Sequence, residues 1–181
     1  MLRVLATLLI SLTFAAAASA QLMDKKALTL DGAKKLAAAA EAQLMDKKAL
    51  TLDGAKKLAA AAEAEATKNN WRVVIVIVDD GGHLVYLERI DDTQTGSIDV
   101  AIAKARGAVA YKRPTKVFED AVTGGRNVIM ALPHAMPVEG GLPLVVDGKL
   151  VGGIGVSGVT SQQDGQIAKA GADALPKLLG R

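Results

Sequence analysis

Residues 142–157, LPLVVDGKLVGGIGVS, are two apolar runs hinged on Asp147-Gly148. Asp-Gly between such runs favours a type I′ turn, which needs positive φ at both central residues. The stretch therefore predicts a hairpin, Leu142–Val146 paired with Leu150–Ser157. Its second arm is rich in glycine, which implies close approach of another backbone or of a ligand. Hairpin arms pair antiparallel, so the sheet built around this one is antiparallel, with helices packed on its faces.

The flanking sequence agrees. WRVVIVIV (71–78) is β-branched and almost continuously apolar, as a buried strand is. Asp79-Asp80-Gly81-Gly82 reads as a turn and His83–Ile90 as the second strand of another hairpin. Ser97 is placed to cap a helix running to about Tyr111, with Ile98, Ala101, Ile102, Ala105, Ala108 and Val109 on its apolar face. Arg113-Pro114-Thr115 breaks that helix, and Lys116–Val122 reads as a short one. Gly124-Gly125 opens an irregular stretch that passes through Leu132–Pro137 and ends at Glu139-Gly140-Gly141. A last helix is expected from about Ser161 to Leu175, with Ile167, Ala170, Gly171 and Ala174 inward and Pro176 ending or kinking it. The order predicts an α+β domain rather than a doubly wound parallel sheet.

Before this domain lie two segments of a different kind. Residues 1–20 carry Arg3, an apolar run from Val4 to Phe14 and a small-residue end, Ala18-Ser19-Ala20, the pattern of a removable export signal. The mature protein is then expected in the periplasm or outside the cell. Residues 21–42 (QLMDKKALTLDGAKKLAAAAEA) recur letter for letter as 43–64. Solenoid arrays usually need three or more repeats, so the pair reads as a recent tandem duplication or an assembly error in the sequence, and not as an architecture. The domain proper is assigned to residues 43–181. In the second copy Leu52, Ala55, Leu58, Ala59, Ala62 and Ala66 form a helical stripe, capped by Thr51 or Asp53 and ended by Asn69-Asn70. This copy, contiguous with the domain, is expected to dock. Deletion of residues 21–42 is expected to leave folding and ligand binding intact, as circular dichroism and a melt of the shortened chain would check.

Charge and composition narrow the function. The chain of 181 residues has a net charge of +3, yet residues 65–181 hold 13 Lys+Arg and 13 Asp+Glu. The excess lies in the signal and the repeats, so it gives no support to nucleic-acid binding. It allows a small dianionic ligand held by two or three cations. The chain has no Cys, which excludes disulfide scaffolds, thiol catalysis and zinc–thiolate sites. After the signal no apolar run approaches the ~20 residues of a membrane span.

Gly153-x-Gly155-x-x-Gly158 matches a dinucleotide fingerprint in letters. That fingerprint belongs between a strand and a helix, whereas these glycines lie within a hairpin strand, where they let something pack closely. Ser97, Asp99 and His134 lack the GxSxG elbow of a hydrolase. His83 and His134 are the only histidines, and no spacing supports a two-histidine metal site. His83, beside a turn, reads as a surface residue. His134 lies between Pro133 and Pro137, near Met130 and Met136, and is either an exposed loop histidine or a ligand. Imidazole and thioether are both usable axial ligands of haem iron. Arg89, Lys104, Arg106, Lys112, Arg113, Lys116 and Arg126 are the cations of the middle segment, and arginine can grip a carboxylate with two hydrogen bonds.

Several runs in this order resemble one known family. They are LTLDGAKKLAAAAEAEA (50–66), VVIVIVDDGGHLVYLERIDD (73–92), SIDVAIAKARGAVAYKRPT (97–115), PVEGGLPLVVDGKLVGGIGVSG (137–158) and QQDGQIAKAGADAL (162–175). Across about residues 50–175 the chain is similar to the GlcG/HbpS-type haem-binding proteins. The same domain forms the C-terminal part of PduO-type cobalamin adenosyltransferases. The resemblance implies a profilin-like α+β fold with a central antiparallel sheet flanked by helices, and homo-oligomers, often octamers. It implies haem or a related tetrapyrrole as ligand, and in some members haem degradation. An exported chain resembles the secreted haem-binding branch, for haem capture, buffering or sensing. The alternatives are a haem-degrading enzyme, a small-acid-binding protein or a scaffold of the same fold. For the iron, His134 is the first candidate, with Met136 and Thr115 next. Arg113, Lys104 and Arg126 are the candidates for the propionates, in a pocket at a subunit interface.

Overall fold

The computed structural model describes residues 48–178, so the segment expected to be an export signal, the first repeat copy and the start of the second lie outside the described residues. Helix α1 (Leu52–Lys68) is followed by strands β1 (Val74–Asp79) and β2 (Leu84–Arg89), then helices α2 (Ser97–Tyr111) and α3 (Lys116–Thr123). A 3-10 turn (Asn127–Ala131) leads to β3 (Gly141–Val146) and β4 (Lys149–Ser157), then to α4 (Ser161–Asp173) and the short α5 (Leu175–Leu178). The four strands form one antiparallel sheet in the order β2-β1-β4-β3. The α+β class and the helix-flanked antiparallel sheet expected from the sequence are what the chain adopts.

The sheet is covered on both faces, which is why β1 reads as an unbroken apolar run. On one face Ile75, Ile77, Ile154 and Val156 pack against Ala55, Leu58, Ala59 and Ala62 of α1 and Ile167 and Ala168 of α4. On the other, Val74, Val76 and Val78 pack against Ala101, Ala105 and Val109 of α2. Each fully buried branched side chain contributes about 1.5–3 kcal/mol, so β1 is the anchor of both layers. The β3–β4 turn has Asp147 at φ 50° and Gly148 at φ 72°, the double positive φ expected of type I′. Pro143 is tolerated because β3 is an edge strand.

The glycines of β4 admit a backbone, and that backbone is α2. A Cβ on Gly153 would lie 2.7 Å from Val109 Cγ2 and 2.9 Å from the Ala105 carbonyl oxygen. A Cβ on Gly155 would meet the Ala101 carbonyl oxygen and come within 2.6 Å of the Ala105 amide nitrogen. The letters of a dinucleotide fingerprint here serve helix–sheet packing.

Three local expectations change. Ser97 does not cap α2: the cap is Gly96, without a side-chain bond, and the Ser97 hydroxyl is buried, accepting from Gln94 Nε2 at 3.0 Å. Leu52 is 51% exposed, and Leu50, just before the cap, packs against the core instead. In α4 the inward residue is Ala168 rather than Ala170, two positions earlier on the helix. Thr51 does cap α1, accepting from the Gly54 amide at 3.1 Å, and Asn69 ends it.

Candidate functional site

Helix α2 turns its unburied side toward the loop that carries His134, and the site lies between them. Gly107 is the seat: a Cβ there would be 2.7 Å from the His134 carbonyl oxygen and 3.5 Å from the Met136 amide nitrogen, so only glycine lets the loop lie on the helix. Further along, the Tyr111 hydroxyl donates to the Pro133 carbonyl at 2.7 Å. Leu132–Ala135 closes a turn through Ala135 N–H to the Leu132 carbonyl at 3.2 Å, with His134 at φ +62°. That conformation is uncommon for a residue with a Cβ and persists where the surroundings hold it. Among the described residues Arg106 extends from α2 to the β1–β2 turn, its Nε donating to the Gly82 carbonyl at 3.1 Å.

Two cavities meet over this part of α2, sharing Arg106 and His134. One, of about 450 Å³, adds His83, Lys112, Val109 and Leu150. The other, of about 370 Å³, adds Leu84, Ile102, Ala103, Asp99 and Met136. Together they make a groove with apolar walls and a few convergent polar groups, within the size range of small-ligand sites. Neither Arg106 nor Lys112 lies within ion-pair distance of a carboxylate among the described residues.

The candidates named from sequence fall into three groups. His134 and Met136 are brought together in the groove. Arg113 and Arg126 are exposed but line neither cavity, and Arg113 Nε donates to the Tyr111 carbonyl at 3.1 Å. Lys104 and Thr115 are corrections. Lys104 is 1% exposed, its ammonium donating to Asp164 Oδ2 at 2.8 Å and to the Val156 carbonyl at 2.9 Å, so it reaches no propionate. Thr115 is fully buried, and its hydroxyl accepts from the Gly141 amide at 2.9 Å while its own N–H donates to the Gly141 carbonyl at 3.0 Å. It pins the start of β3 and presents no oxygen to a ligand.

His83, which reads from the sequence as a surface residue beside a turn, is exposed there and also lines the groove, and Arg106 and Lys112 stand in the sequence only among seven cations. The helical signal was present: Asp99, Ala103, Arg106 and Ala110 recur at three and four along α2, opposite the buried Ala101, Ala105 and Ala108. Small residues flanking an arginine on an open helical face leave room for a ligand. No spacing signal links His83 to His134, because the fold alone brings them together.

A groove of this composition, between a helix and a clamped loop, has the size and lining of a small-ligand site on an α+β domain. The chain belongs to the family described as haem degrading protein HbpS-like, whose model matches residues 50–173. It is 45% identical over 93 residues to protein GlcG of Escherichia coli K12, covering 51% of this chain and 69% of GlcG. The solved double mutant of Streptomyces reticuli HbpS is similar at 33% identity and TM-score 0.67, over 74% of this chain and 91% of that one. PduOC, solved as its haem complex, is similar at 32% identity and TM-score 0.64, over 70% of this chain and 95% of that one.

Proposed function

We propose that this protein binds haem or a related tetrapyrrole in the groove at His134, for haem capture, buffering or sensing. The observation that carries the reading is His134 itself. It is an exposed imidazole, held at positive φ by a clamped turn, at the junction of the two cavities. The donor set fits the group: an imidazole with a thioether beside it for iron, Leu84 and Ile102 for the porphyrin face, and Arg106 and Lys112 for the propionates. Arg106 and Lys112 replace the cations expected from sequence. Family membership and the PduOC haem complex support the ligand class.

The bound haem would supply iron coordination and redox chemistry, while the chain's own residues bind, orient and partly shield it. Both cavities are partly open to solvent, which supports completion by a second copy in a homo-oligomer. The export-signal pattern of residues 1–20 supports a periplasmic or secreted location. Among the described residues no helix is long and apolar enough to cross a membrane.

Haem titration should give a saturable Soret shift, and His134→Ala should weaken binding at least about tenfold, since even outer-shell partners of a metal act on that scale. A wild-type protein without a saturable shift overturns the reading. The family's description favours a second reading, haem degradation. With reductant and oxygen added to the same sample, a degrader loses the Soret band and releases iron, whereas a binder keeps it.

A further inference from the structure

The Asp79–His83 turn at the far end of the groove is built more closely than a surface turn needs. Asp79 Oδ1 accepts from the Gly81 and His83 amides, each at 2.9 Å, and His83 Nδ1 lies 3.3 Å from the same oxygen. The His83 backbone hydrogen bond, more than any other contact, holds the Asp79 carboxyl below its ordinary range. The ionised carboxylate favours the proton on Nδ1, which makes Nε2 the acceptor. Gly81 makes the seat of the ring, since a Cβ there would be 2.9 Å from both Nδ1 and Cε1. The next carbonyl, of Gly82, takes Arg106 Nε, and this leaves the two Nη groups of Arg106 for a ligand.

Arg106 and Lys112 both line this end of the groove. They stand six residues apart on α2 and its cap, about 9 Å along the helix axis at 1.5 Å per residue. Two cations at that separation, neither paired with a carboxylate among the described residues, suit two carboxylates of one small molecule. A basic imidazole nitrogen beside them suits a hydroxyl donor, because an ammonium donor would be repelled. We propose that this end of the groove is a site for a small hydroxy-dicarboxylate, with Arg106 and Lys112 taking its carboxylates and His83 Nε2 accepting from its hydroxyl. The site does not depend on haem, and either ligand can bind if the other does not.

The test is an NMR titration of the haem-free protein with malate, and with succinate as the probe that lacks the hydroxyl. Malate should give saturable shifts in the His83 ring and the 81–83 amides, and should bind several-fold more tightly than succinate. Arg106→Ala should weaken malate by about tenfold or more, the loss expected for a charge-assisted bidentate contact. Lys112→Asn, which suits the left-handed φ of 52° at that cap, should weaken it without touching Gly82. Asp79→Asn should move the His83 proton toward Nε2 and abolish the preference for malate. Equal binding of malate and succinate, unchanged affinity in both cation variants, or no saturable shift each overturns the proposal.

Discussion

Lys104→Met is expected to destabilise the domain by about 3–5 kcal/mol, the scale for orphaning one partner of a buried ion pair. Lys104 and Asp164 have side chains 1% and 3% exposed and tie α2 to α4 across the end of β4. Methionine fills the same channel but removes the ammonium. Asp164 then keeps its Val159 amide donor at 3.2 Å and loses its only cationic partner among the described residues. Burial already raises the Asp164 carboxyl above its ordinary range, and Lys104 opposes that rise. Without Lys104 the folded-state value climbs further. A carboxyl raised by folding contributes stability that is full below its unfolded value and is lost as pH rises through the folded value. The deficit of Lys104→Met should therefore be larger at pH 7 than at pH 5, as urea melts at the two pH values would measure. Adding Asp164→Leu should recover much of the loss, because two apolar groups leave no buried charge, though the Val159 amide then loses its acceptor. A Lys104→Met protein as stable as wild type at pH 7 would show that the pair is not a structural tie.

How far the sequence could be read is clearest along α2. Its buried stripe was legible from the alanines, and Lys104 stands on that stripe, three after Ala101 and four before Ala108. Charge made it look like a ligand cation, yet helical phase placed it in the core, and only the partner, sixty residues on in α4, explains how it survives there. Thr115 misled for the same reason, since its hydroxyl serves the Gly141 amide. The β3–β4 hairpin and its turn were legible because Asp147-Gly148 fixes them locally, but the register shift between Leu144 and Val145, beyond the reach of the turn, was not. The groove was not, because it depends on how the 124–140 segment crosses α2. Gly107 and Tyr111 decide that path, and their roles appear only when the loop is seen against the helix.

The glycines of β4 give the other large effect. Gly155→Ala should cost about 3 kcal/mol or more, the upper end of the range for overpacking. Most overpacked cores relax by moving side chains, but here the obstacles are the Ala101 carbonyl and the Ala105 amide of α2. Gly155 cannot retreat, since β4 is paired on both sides, with Val76 in β1 and Gly141 in β3. The helix must therefore lift, and α2 carries Arg106 and, through Gly107, the seat of the His134 loop. Stability and ligand affinity should fall together, which separates this substitution from one that touches the groove alone. Gly153→Ala, whose nearest neighbour is the movable Val109 side chain at 2.7 Å, should cost less. Gly96→Ala meets nothing within 4 Å and should stay within about 0.5 kcal/mol of wild type. Thermal melts of the three variants, each followed by a ligand titration, give the order. If Gly155→Ala melts no lower than Gly96→Ala, α2 does not rest on β4 as closely as the packing requires.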